Sequence, residues 1–206
     1  MNIESIVVGS LGTNCYIIYD KKTKDAIVVD PGDSYDIIHS KLETLKVKVL
    51  YVVLTHAHVD HICAIDNLKA DYGAKICIGE KDGEKLNNSM LNLCSLFGCS
   101  SPTSKADIML SNNDTLDISD NSIKIIHTPG HTDGSISLYF DDCLISGDTL
   151  FFESVGRTDF PSGDSYALRN SIKNILFKLP DETKVYPGHG EMTTIGHEKN
   201  NNPFIW

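Results

Sequence analysis

The stretch Thr55-His56-Ala57-His58-Val59-Asp60-His61 places three histidines and one aspartate within seven residues. It follows residues 47–54, a nearly continuous apolar run that predicts a strand covered on both faces. In an extended segment alternate side chains point the same way, so His56 and His58 can reach one metal ion together. Asp60 and His61 lie where the chain turns into the next predicted helix, so they can face a second ion.

Imidazole and carboxylate groups suit zinc, iron or manganese, so this stretch predicts a metal site. A histidine-rich surface loop without metal is the alternative. A lone histidine would favour that alternative, but this density of ligand types directly after a buried-type strand favours the metal site.

Three later segments supply the remaining candidate ligands, each near the end of a predicted strand. His131 lies beyond the Pro129-Gly130 turn, which can present it into a loop, whereas His127 belongs to the strand and is interpreted as a core or supporting residue. Asp148 alone would be a turn aspartate, but two neighbouring metal ions are commonly bridged by a carboxylate. His189, in Tyr-Pro-Gly-His-Gly at residues 186–190, completes the set.

The wider pattern predicts two packed sheets with helices outside, an α/β architecture formed by one domain over residues 1–206. Residues 79–115 are less regular, with one short helix, and could form a lid or a dimer contact. Predicted helices cover about residues 37–45, 62–72 and 166–179. Predicted strands cover residues 3–8, 15–19, 26–29, 47–54, 75–78, 116–118, 123–127, 135–140, 143–145 and 183–186.

Composition limits the partners. The net charge is −10, from 18 Lys+Arg against 28 Asp+Glu, and no basic stripe is present, which argues against nucleic acid and anionic membranes. No apolar stretch is long enough to span a bilayer, and the amino terminus lacks the pattern of a signal peptide, so we expect a cytoplasmic protein. The six cysteines are expected to be reduced and mostly buried.

With these residues in view, the sequence resembles the metallo-β-lactamase superfamily over essentially its whole length. The pattern H-x-H-x-D-H at residues 56–61, followed by His131, Asp148 and His189, matches the ligand positions of that superfamily in order. Residues 147–151 (GDTLF), 156–161 (GRTDFP), 186–190 (YPGHG) and 194–199 (TIGHEK) are similar to bacterial glyoxalase II-like, or hydroxyacylglutathione hydrolase-like, proteins.

The resemblance implies a four-layer αββα sandwich holding two divalent metal ions, with zinc expected and iron or manganese as alternatives. His56, His58 and His131 would hold the first ion, Asp60, His61 and His189 would hold the second, and Asp148 would bridge them. Arg157 stands where the family keeps a basic residue facing the substrate, although an ordinary surface arginine is nearly as good an interpretation.

Two departures accompany the resemblance. Two-domain glyoxalase II continues past the last histidine into a helical domain that binds glutathione, and only a short segment follows His189 here, so the carrier thiol stays open. Cys63 stands where many relatives have glycine, and we interpret it as a small packed side chain rather than a ligand or an oxidation-prone group.

The resemblance, together with these residues, implies a binuclear hydrolase that cleaves a small-molecule thioester such as S-lactoylglutathione. Two divalent ions balanced by Asp60, Asp148 and one hydroxide keep the site positive, and metal binding lowers the pKa of water to about 7, so hydroxide is available. We expect Asp60 to steady that hydroxide during attack on the carbonyl. A thiol has a pKa of about 8.5 and can leave without a strong general acid.

Three other functions stay open. Persulfide dioxygenases share the Gly-Arg-Thr-Asp-Phe stretch and use one iron held by two histidines and one aspartate, here drawn from His56, His58, His131 and Asp148. Lactone hydrolases share the fold. A non-catalytic binding module is the third alternative, although degenerate family members usually lose ligands. The oligomeric state is open, with a homodimer as one possibility.

Overall fold

The computed structural model describes residues 1–205 and contains two six-stranded β-sheets. The first sheet has the strand order β1-β2-β3-β4-β5-β6, antiparallel from β1 to β3 and parallel from β3 to β6. Its strands are β1 (Asn2–Val8), β2 (Thr13–Tyr19), β3 (Asp25–Val29), β4 (Lys48–Leu54), β5 (Lys75–Gly79) and β6 (Ile108–Leu110).

The second sheet has the order β14-β13-β10-β9-β8-β7, and only β10 and β13 are parallel neighbours within it. A separate hairpin, β11–β12, leaves this sheet just after β10. The strands are β7 (Thr115–Ile118), β8 (Asn121–His127), β9 (Ile136–Phe140), β10 (Cys143–Gly147), β11 (Leu150–Phe151), β12 (Ser154–Val155), β13 (Lys184–Pro187) and β14 (Thr193–Thr194).

Three apolar cores separate four layers. Ile18 and Ile27 of the first sheet meet Ile125 and Leu138 of the second in the central core, where each fully buried side chain contributes about 1.5–3 kcal/mol. A second core packs helices on the outer face of the first sheet, and a third packs a helical segment that includes Leu168 on the outer face of the second. The predicted αββα sandwich is confirmed.

The first predicted helix, at 37–45, is confirmed and begins two residues earlier, whereas the other two are shorter or broken. They are α1 (Tyr35–Leu45), α2 (Val59–Ile62), α3 (Ile65–Tyr72), α4 (Cys94–Phe97), α5 (Ser165–Asn170) and α6 (Ile195–Asn201). The predicted helix at 62–72 starts only at Ile65, because the N–H groups of Cys63 and Ala64 bond instead to the carbonyls of Gly32 (3.3 Å) and Pro31 (2.9 Å). After α5 the chain continues as a π-helical turn at Ser171–Ile175.

The strand arrangement brings four loops to one end of the sandwich. The loops after β4, β8, β10 and β13 carry the candidate ligands, and β10 and β13 lie side by side with the same direction. The two sheets are joined at this end, where the N–H of Asn14 donates to the carbonyl of Gly188 at 2.7 Å. No helix within residues 1–205 is long and apolar enough to cross a membrane.

Candidate metal centre

The segment after β4 presents its histidines as an extended chain should. His58 has extended backbone angles (φ −74°, ψ 150°), and the rings of His56 and His58 lie with centroids 4.8 Å apart. α2 begins at Val59 and carries Asp60 and His61. The N–H of Ala57, between the two histidines, donates to Asp82 Oδ2 at 3.0 Å, which fixes the segment from behind.

His56, His58 and His131 form the first group of possible ligands, with one nitrogen of each within 4.8 Å of the others. His58 Nδ1 lies 2.8 Å from His131 Nε2. His131 Nδ1 lies 2.7 Å from the carbonyl of Arg157, which can only accept, so Nδ1 carries the hydrogen. The lone pair of His131 Nε2 is therefore directed to the centre of the group.

Asp60, His61 and His189 form the second group. Asp60 Oδ2 lies 3.1 Å from His189 Nε2 and 3.5 Å from His61 Nε2. The hydroxyl of Thr13 donates to the same carboxylate oxygen at 3.1 Å. Gly32 allows this arrangement, because a Cβ at that position would collide with the carbonyl oxygen of Asp60.

Asp148 lies between the two groups. Its Oδ1 is 3.5 Å from His61 Nε2, and its Oδ2 is 3.6 Å from both His131 Nε2 and His189 Nε2. Gly188 leaves room for this carboxylate, since a Cβ there would collide with Asp148 Oδ1. One side chain thus faces both groups, which is the position a bridging ligand requires.

The donor atoms of this cluster are better satisfied by a metal ion than by hydrogen bonds to one another. Within residues 1–205, His56 Nε2, His61 Nε2 and Asp148 Oδ1 are buried without a hydrogen-bond partner, and these three residues also form a group of possible ligands. A buried polar atom without a partner costs about 1–3 kcal/mol, so three in one cluster indicate a site whose donor atoms fit a bound cation. The donor set of imidazoles and carboxylates suits borderline metals such as zinc and iron.

The electrostatics point the same way. Burial, and then the charges of neighbouring histidines, hold the pKa of His56 well below its ordinary value and lower the pKa of His58 to about 3. Burial also disfavours a charge on His61, but Asp60, Asp148 and Asp30 outweigh it and raise the pKa of His61 to about 10. The neutral imidazoles of His56 and His58 can donate lone pairs to a metal ion. The carboxylates of Asp60 and Asp148 are stabilised by a positive charge between them.

Sequence reasoning missed Asp30, which supports the centre from below. Asp30 is fully buried and accepts hydrogen bonds from the N–H and hydroxyl of Thr55, both at 2.7 Å. Its Oδ2 also lies 3.0 Å from His61 Nδ1. The sequence Asp30-Pro31-Gly32 indicates a turn, and only the parallel pairing of β3 with β4 brings Asp30 beneath the histidines.

Three residues that the sequence singled out, Arg157, Cys63 and His127, lie outside the ligand set. Arg157 lines the cavity of about 390 Å³ beside the cluster, but its guanidinium makes two hydrogen bonds to Asp159, both 2.7 Å long. The interpretation of Cys63 as a packed side chain was wrong: it is exposed, and its thiol donates to the carbonyl of Val59 at 3.0 Å. His127 lies outside the cluster, with Nε2 2.9 Å from the carbonyl of Asp133.

This arrangement of loops and ligand types has a counterpart among known proteins. A family model of the metallo-beta-lactamase superfamily matches residues 8–189. The chain belongs to the metallo-β-lactamase superfamily. Among curated superfamily members, hydroxyacylglutathione hydrolase GloC of Haemophilus influenzae is 35% identical over 211 residues, covering 100% of this chain and 98% of the relative.

Solved structures agree with the fold. The BLEG-1 B3 metallo-beta-lactamase is 37% identical with a TM-score of 0.95, and 99% of each chain is covered. TTHA1623, solved in a di-iron-bound form, is 31% identical with a TM-score of 0.86, covering 98% of this chain and 99% of that one. ETHE1 from Myxococcus xanthus is 30% identical with a TM-score of 0.82, covering 98% and 84%.

Proposed function

We propose that this protein is a binuclear metallohydrolase that cleaves a small-molecule thioester. His56, His58 and His131 would hold the first ion, Asp60, His61 and His189 would hold the second, and Asp148, which lies between the two groups, would serve both. Zinc is the expected metal, with iron or manganese as alternatives. The seven residues converge from the segments that follow four strands onto one largely buried cluster, and the unpartnered atoms of His56, His61 and Asp148 are the observation that carries the proposal.

When bound, such ions supply Lewis acidity and lower the pKa of water to about 7. Residues of the chain position Asp60 and keep it ionised. The Thr13 hydroxyl holds Asp60 Oδ2 in place at 3.1 Å, and His61 and then His189 keep the pKa of Asp60 below its ordinary value despite burial. Asp60 therefore stays ionised at neutral pH, available as a ligand and as an acceptor that orients the attacking hydroxide.

The walls of the adjoining cavity favour a thioester over an amide. Its remaining lining residues are Leu11, Leu93, Phe97, Phe151, Val155, Arg157 and Phe160. None of these is a carboxylic acid or a histidine that could protonate a leaving group. An amide nitrogen needs such a proton, whereas a thiol with a pKa of about 8.5 can depart as the thiolate.

The similarity to the GloC hydrolase supports the same reaction class, and S-lactoylglutathione is a suitable first probe. We expect metal-loaded protein to release one free thiol for each thioester lost, without oxygen consumption. Loss of the thioester with oxygen uptake, or no thiol release from either a charged or an uncharged thioester at full metal occupancy, would contradict the proposal.

Persulfide oxidation at a single iron is the second candidate. The similarity to ETHE1 favours it, and His56, His58 or His131 with Asp148 could form a site of two histidines and one carboxylate. The second group of ligands then has no role, which favours hydrolysis. Oxygen uptake with glutathione persulfide tests this candidate directly, and lactone or β-lactam turnover tests other hydrolytic substrates.

A further inference from the structure

The cleft at the metal centre has two lobes. The first lobe is the cavity of about 390 Å³ that contains Arg157, and the second is a cavity of about 200 Å³ that extends past Asp60 toward the β1–β2 turn. Leu11, Asp60 and Phe97 line both cavities. The two lobes therefore adjoin at these three residues, with the carboxylate of Asp60 at the junction.

The first lobe offers little positive charge beyond the centre itself. Its wall is aliphatic and aromatic apart from Arg157 and the candidate ligands. The Arg157 guanidinium lies 3.8 Å from the centroid of the Phe160 ring, and Nε and one terminal nitrogen both donate to Asp159. A carboxylate in this lobe would compete with Asp159, which holds the bidentate geometry that arginine prefers.

The second lobe is negative. Its lining includes the carboxylates of Asp33 and Asp60, and it contains no Lys, Arg or His from the part of the chain that the structure describes. The remaining lining is glycine, hydroxyl, aliphatic, aromatic and thiol, including Ser10, Thr13 and Cys63. Bound metal would neutralise Asp60, which leaves Asp33 as the uncompensated charge of the lobe.

We infer that the substrate is a thioester neither of whose arms carries negative charge, with one arm in the lobe beyond Asp60. The inference rests on the proposed function and restricts the class of thioester that it would cleave. Glutathione and coenzyme A both carry anionic groups on the thiol arm, so their thioesters would place negative charge in a cleft whose one lysine or arginine within residues 1–205, Arg157, is already paired with Asp159. A neutral or cationic thiol arm meets no such repulsion.

The test compares two thioesters that share the lactoyl group, S-lactoylglutathione and S-lactoyl-N-acetylcysteamine, on the metal-loaded full chain. At about 0.01 M salt, where the Debye length is about 30 Å, we expect kcat/KM to be about tenfold higher for the neutral substrate. The ratio should shrink severalfold at about 1 M salt, where charges are screened within about 3 Å. Asp33→Asn should also lower the ratio of the two kcat/KM values, because it removes the negative charge of the second lobe.

Asp36→Asn is the matched control, because it removes the same charge from an exposed position on α1 outside both lobes. It should leave the ratio as in the wild type. Equal or faster cleavage of the glutathione thioester would overturn the inference and leave thioester hydrolysis standing. A high ratio that neither salt nor Asp33→Asn changes would also overturn it. Cleavage of neither substrate would instead overturn the proposed function.

Discussion

Asp30 Oδ2 lies 3.0 Å from His61 Nδ1, with both side chains almost completely buried. The carboxylate pairs with the Nδ1 side of the ring, so Nε2 on the other side faces Asp60 and Asp148. The same carboxylate ties down Thr55, the residue that precedes the histidine-rich segment. Asp30 therefore sets the orientation of a ligand without belonging to the ligand set.

Asp30→Asn should weaken metal binding by about 10- to 100-fold, as supporting residues of metal sites typically do. The amide can still accept from the N–H of Thr55, but its NH₂ group opposes a hydrogen on His61 Nδ1 and favours the wrong tautomer. Competition titration against a chelator measures the change. Affinity equal to that of the wild type would show that Asp30 has only a structural role.

The ligand grouping predicts the metal stoichiometry. We expect two equivalents in the wild-type protein and about one in His58→Ala or His189→Ala, because each change breaks one group. Asp148→Asn should weaken the binding of both metal ions. His127→Ala, outside the cluster, is the matched control and should retain two. Metal analysis of purified protein decides the matter: one equivalent in the wild-type protein that His189→Ala leaves unchanged would favour the one-iron alternative.

A buried carboxylate holds the hairpin next to the cavity. Glu198 is fully buried and accepts from Thr193 Oγ1 (2.6 Å), the N–H of Glu153 (3.0 Å) and Asn202 Nδ2 (2.8 Å). Glu198→Ala leaves three donors without a partner and should lower the free energy of unfolding by about 2–5 kcal/mol. Urea denaturation measures it, with the exposed Glu182→Ala as control. A loss below about 1 kcal/mol would show that water replaces the acceptor.

Acid should loosen the segment that carries Phe97. Asp66 accepts from the N–H (2.8 Å) and hydroxyl (2.9 Å) of Thr103 and the N–H of Ser104 (2.8 Å). Burial opposes ionisation, but these hydrogen bonds lower the pKa of Asp66 below its ordinary value. Their stabilisation is therefore complete above about pH 4 and is lost as the pH falls through the lower folded-state value.

Asp66→Asn should accordingly cost about 1 kcal/mol at neutral pH and much less near pH 2. Denaturation curves across this range, with the exposed Asp120→Asn as the matched variant, measure the difference. An Asp66→Asn penalty that stays constant with pH would mean that the ionised carboxylate contributes nothing.

The sandwich could be predicted because its signals are local, since apolar runs mark the strands. The site could be predicted because three histidines and one aspartate lie close together directly after β4. Contacts between distant residues could not be predicted this way. Asp30 looks like part of a turn, and Glu198 looks like an ordinary helical glutamate. The break before α3 depends on the carbonyls of Pro31 and Gly32, which lie about thirty residues earlier in the chain. β14 is only two residues long and carries no periodic pattern.

The most direct test of the central claim is thioester hydrolysis by the metal-reconstituted full chain, followed as loss of thioester absorbance with S-lactoylglutathione and S-lactoyl-N-acetylcysteamine. We predict turnover that a chelator abolishes, that added metal restores, and that falls by at least about 100-fold in Asp60→Asn. Protein with two bound metal ions that hydrolyses neither thioester would contradict the account.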